Sequence, residues 1–318
     1  MPVPPAVITS QDILYKGVLN ISRNDSGAGR IIGGQRSIKS ITQNLVRTCW
    51  NSGGMEGYMP RKKTPEKKDL TYKAKSGWEI LKDRQDDIEA YNREYIRFLS
   101  EVKTEREAVN YIRGLSKGMK GLHIIENRGK AIAVCRKGKL PLKEGVSIVI
   151  AHIDCPRLDL KANPLYEDTD FAMLKTHYYG GIKKYQWLAR PLAIHGVVGR
   201  ANGSLVNISL GEVAKEPCFT IEDLLPHLAA NAQYSKKLSD AFQAEKLNII
   251  IGSKPDMKLK ENKVKMHILS LLHEKYGIVE QDFVSADLEI VPAGPAREVG
   301  IDRSMVGGYG QDDRVCSW

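Results

Sequence analysis

The stretch VIAHIDCPRLDLKANPL, residues 149–165, places a histidine and an aspartate two positions apart at the end of an apolar run. The run GVSIVIAHID (145–154) predicts an inner strand covered on both faces. Side chains two positions apart in a strand share a face, so His152 and Asp154 are expected to point the same way from its carboxyl end. Ligand sites in open α/β sheets lie off such ends.

The His152–Asp154 pair has two interpretations. In the functional one, the imidazole binds a metal ion through one ring nitrogen, and the carboxylate accepts a hydrogen bond from the other. In the structural one, the two side chains simply pair inside the core. Taken alone, the two residues favour the structural interpretation, because buried polar groups usually find partners.

A second acidic element, GYGQDDRVCSW (308–318), carries two adjacent aspartates after a glycine-rich turn. A carboxylate there could bridge two cations, because it offers two oxygens and a full negative charge. Aspartate is also common at helix N-caps, so this element alone does not distinguish a metal site from a cap.

The residues on either side of these elements predict an α/β layer architecture. From Asp83 onward, apolar residues recur every three or four positions, which predicts a helix with one apolar face. This face comprises Ile88, Tyr91, Tyr95, Phe98, Leu99 and Val102. Thr104 and Glu107 form a capping box that begins a second helix. The alternating run 130–138 predicts a strand.

Residues 164–282 differ in character, with short strand-like runs separated by glycine and asparagine turns and a helix ending at Gly277. The run SADLEIVPAG (285–294) then resumes the inner-strand pattern. This change predicts a β-rich domain over 164–282, inserted into a first domain made of 59–163 and 283–318.

Residues 1–58 show no sustained periodicity, and Met59 resembles a natural start, so we expect 1–58 to be a disordered or spurious extension. The run RKKTPEKK (61–68) contributes to the net charge of +10 and could contact nucleic acid. No nucleic-acid recognition motif accompanies it, so a solvated segment is the favoured interpretation.

The chain has five cysteines and no CxxC motif, which favours a reducing compartment over a disulfide scaffold. The sequence has no apolar stretch long enough to span a bilayer and no signal-peptide core. These features predict a cytoplasmic protein with no membrane partner.

Five motifs occur in one order: HxDxPRLDLKxNP from His152, YYGG (178–181) followed by a tryptophan, PHLA (226–229), SADLEIVPAGPA (285–296) and GYGQDDR (308–314). This order resembles the aspartyl aminopeptidase and vacuolar aminopeptidase I family of two-zinc exopeptidases, in its bacterial branch. The similarity extends from about Met59 to Cys316.

The resemblance implies that His152 binds one of two zinc ions, that Asp312 bridges both, and that Asp154 acts in catalysis by orienting His152. The family motif assigns the bridging role to the first aspartate of the pair rather than to Asp313. His177, in KTHYYGG, could contact substrate or a neighbouring subunit, although a surface histidine is the simpler interpretation.

The resemblance also implies a zinc-exopeptidase-like α/β/α domain interrupted by the β-rich assembly domain, with twelve subunits in the assembled shell. The implied activity is release of N-terminal residues from peptides. Where the aspartyl branch of the family has a charged stretch, this chain keeps Arg190 and lacks both acidic residues. The resemblance therefore does not imply that the enzyme prefers acidic N-terminal residues.

Further ligands of the family follow the QDDR element: a Glu-Glu pair, an aspartate and a late histidine. This sequence ends five residues after Asp313 and contains no Glu-Glu pair. We therefore expect that the C-terminal part of the peptidase domain is missing and that this chain alone lacks activity. The alternatives are a non-catalytic assembly remnant and, more remotely, a basic nucleic-acid-binding protein.

Overall fold

The computed structural model describes residues 72–318 and, before them, only the backbone of the two-residue strand Leu19–Asn20. Three predictions concern parts of the chain outside the described residues. They are the predictions for the extension 1–58 (apart from that strand), for the start at Met59 and for the basic run 61–68. Among the described helices, none has both the length and the hydropathy needed to cross a bilayer.

The described residues form a mixed α/β structure, as the sequence predicts. The α-helices are α1 Gly77–Ile80, α2 Gln85–Glu101, α3 Glu105–Ser116, α4 Pro226–Ala232, α5 Leu238–Ala241, α6 Lys263–Tyr276 and α7 Gln311–Arg314. The strands are β1 Leu19–Asn20, β2 Leu122–Asn127, β3 Ala131–Arg136, β4 Ser147–Ile148, β5 Arg157–Asp168, β6 Phe171–Tyr179, β7 Leu192–Gly199, β8 Leu205–Leu210, β9 Ile249–Gly252, β10 Ala286–Pro292, β11 Arg297–Val299 and β12 Met305–Gly307.

The largest sheet has six strands in the order β8-β7-β10-β5-β6-β9, with antiparallel neighbours throughout. β10 lies inside this sheet and is buried from Leu288 to Pro292, so the inner strand predicted over 285–294 is confirmed. The proposed boundary between 163 and 164 falls within β5. The sheet therefore takes strands from both sides of that boundary, and the domain division stays a prediction.

Helices α2 and α3 follow the sequence pattern closely. The predicted apolar face of α2 buries Ile88, Tyr95, Phe98 and Leu99, and the Thr104–Glu107 capping box begins α3. Beside this face, the Trp318 ring stacks on Phe98 at 5.0 Å between centroids. The end of the chain thus packs against α2.

The run 145–154 is not the inner strand that its apolar character predicts. Within this run, only β4 pairs with another strand, which is β1. Val149 and Ile150, which follow β4, are 89% and 62% exposed. An apolar run becomes an inner strand only where other strands pair with both of its edges, and the described residues supply one such partner. His152 and Asp154 consequently lie in the loop between β4 and β5.

A buried charge cluster joins α3 to the large sheet. His195 of β7 is 2% exposed and lies between two carboxylates, with Nδ1 2.8 Å from Glu107 Oε1 and Nε2 2.9 Å from Glu212 Oε1. Burial by itself lowers the pKa of His195, but the hydrogen bonds to the two carboxylates outweigh it and raise the pKa to about 9. The imidazolium is therefore the form that this cluster stabilises.

We expect the stabilisation by His195 to disappear in alkali. Its pKa rises from 6.5 to about 9 on folding, so the contribution is complete below pH 6.5 and is lost as pH rises through about 9. Urea unfolding should show that the stability gap between the parent and His195→Gln shrinks by about 3 kcal/mol between pH 6 and pH 10. His123→Gln, at an exposed position in β2, is the control; a gap independent of pH would contradict this prediction.

Candidate metal centre

The structure brings the histidine of the first motif and the two aspartates of the second to one point. His152 Nε2 lies 2.7 Å from Asp313 Oδ2. One potential ligand atom from each of His152, Asp312 and Asp313 lies within 4.8 Å of the others. His152 and Asp312 are exposed, whereas the Asp313 side chain is 7% exposed. The group therefore opens to solvent on one side.

Two contacts hold the His152 loop against the turn that carries the aspartates. The Tyr309 hydroxyl donates to the carbonyl of Pro156 at 3.1 Å, and the Cys155 thiol donates to the carbonyl of Gly310 at 3.6 Å. Both contacts join segments more than 150 residues apart in the chain. They fix the distance between the imidazole and the carboxylates.

Arg314 anchors the acidic turn to the helical layer. Its side chain is 1% exposed and donates to the carbonyls of Val102 at 2.9 Å and Lys103 at 2.6 Å, where α2 passes into α3. Gly310 has a φ of +92°, and a Cβ at this position would lie 2.3 Å from Arg314 Nη1. The turn thus requires glycine both for its backbone conformation and for the close approach of the guanidinium.

Asp154 is held from both sides. Its Oδ1 is 2.9 Å from His152 Nδ1, and its Oδ2 accepts a hydrogen bond from the Tyr179 hydroxyl at 2.6 Å. Burial raises the pKa of Asp154, but the hydrogen bonds from Tyr179 and His152 outweigh it and keep that pKa below its usual value. The hydrogen bond to Asp154 raises the pKa of Tyr179 to about 12, so the phenol stays protonated and donates.

This arrangement determines how the imidazole can act. With Asp154 accepting from Nδ1, the Nε2 atom faces Asp313, and a proton or a cation can occupy the space between them. Asp313 Oδ1 is buried and has no hydrogen-bond partner. An unpaired buried carboxylate oxygen is costly, and a bound cation would satisfy it.

The donor set fits zinc. One imidazole nitrogen and two carboxylates are ligands that Zn²⁺ accepts, and catalytic zinc sites use three protein ligands with one position open. Among residues 72–318, no second group of three residues offers ligand atoms that all lie within 4.8 Å of one another. Both aspartates are within reach, so the assignment of the bridging role to Asp312 stays a prediction.

His177 lies outside this group. It is an exposed residue of β6, opposite Asp159 in β5, and its ring neighbours Tyr178 at 6.3 Å. The sequence offered no role for Tyr179 or Arg314, although both stand inside quoted motifs. Their partners are distant in the chain, so only the pairing of β5 with β6 and the packing of the acidic turn on α2 identify them.

Known proteins match the chain over most of its length. The model of the family described as aminopeptidase I zinc metalloprotease (M18) matches residues 98–318. A probable M18 family aminopeptidase 1 from Clostridium acetobutylicum is 49% identical over 269 residues, covering 79% of this chain and 58% of the relative. A similarly named protein from Thermotoga maritima is 46% identical over 248 residues, covering 74% of this chain and 54% of the relative.

Solved structures agree with the sequence matches. The crystal structure of the M18 family aminopeptidase from Thermotoga maritima superposes with a TM-score of 0.70 at 45% identity, covering 74% of this chain and 54% of that one. Aminopeptidase I from Clostridium acetobutylicum also gives 0.70, at 41% identity and with 78% and 58% covered. The chain thus spans little more than half the length of these relatives. On both sequence and structure, it belongs to the M18 family of aminopeptidase I zinc metalloproteases.

Proposed function

We propose that this chain supplies part of the metal centre of a zinc aminopeptidase that releases N-terminal residues from peptides. The observation that carries the proposal is the convergence of His152, Asp312 and Asp313, whose ligand atoms lie within 4.8 Å of one another. We further propose two zinc ions in the intact site, with Asp312 as the bridging ligand and His152 on one ion. A cytoplasmic location stays a prediction.

In this centre, bound zinc would polarise the substrate carbonyl and lower the pKa of a water molecule. The residues of the chain would hold the zinc ions and orient the ligand atoms. His152 presents Nε2 as a ligand, and Asp154 keeps the opposite nitrogen hydrogen-bonded. The two aspartates supply the negative charge that offsets the cations.

We propose that the 318 residues by themselves have little or no peptidase activity. The described residues bring together three ligand side chains, whereas two zinc ions with three ligands each need more. No Glu-Glu pair, the family's source of a general base, occurs in the sequence.

Zinc affinity tests the metal centre directly. We expect the chain to bind Zn²⁺, measured by competition with a chromophoric chelator, and His152→Ala to weaken binding by more than about 100-fold, the upper range for loss of a supporting residue. His273→Ala, at an exposed position of α6, should leave the affinity unchanged. Equal affinities of the parent and His152→Ala would contradict the proposed centre.

We also propose that the chain forms a homo-oligomer through the segment 164–282. Five large apolar side chains are exposed around α4 and α5, at 43–66% of their surface: Leu224, Leu225, Leu228, Tyr234 and Leu238. Exposed apolar patches of this kind mark interaction surfaces. A contact of His177 with substrate or with a neighbouring subunit is part of this proposal.

Sedimentation velocity tests the assembly. We expect a defined oligomer at micromolar concentration, and a shift toward monomer when Leu225 and Leu228 are both changed to serine. The matched control changes Leu205, an equally exposed leucine in β8, to serine. A strictly monomeric parent at high micromolar concentration, or only a broad distribution of aggregates, would contradict the proposal.

A further inference from the structure

We propose that Tyr179 is a positioning residue of the metal centre, which acts on His152 through Asp154. The role rests on the metal centre proposed above and adds a residue to it. Tyr179 lies on β6, and it contacts neither His152 nor the aspartates of the acidic turn in any described hydrogen bond.

Asp154 connects His152 to Tyr179 through its two carboxylate oxygens. One carboxylate oxygen lies 2.9 Å from His152 Nδ1, and the other accepts from the Tyr179 hydroxyl at 2.6 Å. A carboxylate held at both oxygens cannot rotate away from the imidazole without losing a hydrogen bond. Asp154 lies in a loop and is 35% exposed, so the loop backbone and burial alone hold it weakly.

The guanidinium group of Arg157 holds the Tyr179 ring in place. Arg157 is directly opposite Tyr179 in the β5–β6 ladder, and its guanidinium carbon lies 4.1 Å from the ring centroid. Arg157 is 4% exposed and pairs with the carboxylates of Glu105 and Asp159, each at 2.8 Å. The buried carboxyl group of Glu289 lies 3.0 Å from the same guanidinium. A buried ion cluster thus sets the position of the ring, and the ring sets the position of the hydroxyl.

The hydroxyl alone distinguishes Tyr179 from phenylalanine in this arrangement. Tyr179→Phe keeps the ring over Arg157 and removes only the donor to Asp154. The freed oxygen of Asp154 would face water, and the carboxylate would hold His152 in several orientations. We expect a weakening of Zn²⁺ binding of about 3- to 10-fold, below the effect of removing the carboxylate itself.

The test measures Zn²⁺ affinity of the 318-residue chain by chelator competition, together with the thermal midpoint. Tyr178→Phe is the matched control, because it makes the same change one residue away, on the other face of β6, where the side chain is 46% exposed. Tyr179→Phe should lower the affinity and leave the thermal midpoint within the range of the control.

A double-mutant cycle shows whether Tyr179 acts through Asp154. In an Asp154→Ala background, Tyr179→Phe should have no further effect on Zn²⁺ affinity. An unchanged affinity in the parent background, or the same loss in both backgrounds, would overturn the role. If His152→Ala leaves Zn²⁺ binding intact, the metal centre itself is wrong and this role falls with it. A large effect of His152→Ala with none from Tyr179→Phe would instead reject the tyrosine alone.

Discussion

Assayed with aspartyl, glutamyl and leucyl peptides, the 318-residue chain is expected to release N-terminal residues no faster than Zn²⁺ in buffer. The described residues bring one histidine and two carboxylates together, and the sequence holds no Glu-Glu pair. General-base catalysis alone typically contributes about 10²- to 10⁴-fold, so its loss removes most of the rate even where a metal ion is bound.

We predict that peptidase activity appears when the further ligands implied by the family resemblance are supplied. A chimera would join the chain to any part of the Clostridium acetobutylicum relative that lies C-terminal to the aligned region; the alignment covers 58% of that relative. In an active chimera, His152→Ala is expected to lower kcat/KM by about 10³-fold or more, because it removes a metal ligand and not only a general base. His273→Ala is the control for substitution of an exposed histidine.

Two results would contradict this interpretation. Zinc-dependent turnover by the 318-residue chain alone, lost in His152→Ala, would mean that further ligands exist in the chain. A chimera that folds and binds zinc but is insensitive to His152→Ala would mean that this histidine is no part of the active centre.

Replacing Arg314 by methionine is expected to destabilise the chain by about 3 to 5 kcal/mol. Two charged hydrogen bonds to the carbonyls of Val102 and Lys103 would be lost, and both carbonyls would stay buried without these donors. The acidic turn would also lose its attachment to α2 and α3, so zinc affinity should fall together with stability.

Urea unfolding and zinc competition measure the two effects in one set of variants. Arg297→Met, at an exposed position of β11, is the matched control and should leave both unchanged. If the stability and the zinc affinity of Arg314→Met equal those of the parent, the acidic turn is held by other contacts, such as the Tyr309–Pro156 hydrogen bond.

The sequence by itself determined the parts of this protein whose causes are local. The apolar period from Ile88 to Val102 and the Thr104–Glu107 capping box specify α2 and α3, because a helix forms between residues three and four apart. The end of α6 at Gly277 follows from a left-handed cap that favours glycine. The sequence also singled out His152 and the aspartate pair as candidate ligands.

Only the tertiary structure decided what depends on contacts between distant segments. The run 145–154 carries the apolar pattern of an inner strand, yet an inner strand needs partners along both edges, and the described residues give this run one partner. The pairing of Arg157 with Tyr179 across β5 and β6 connects a buried ion cluster to Asp154. Burial of Arg314 beneath α2 and α3 brings the aspartates to His152, because a site assembled from segments 160 residues apart exists only after the chain has packed.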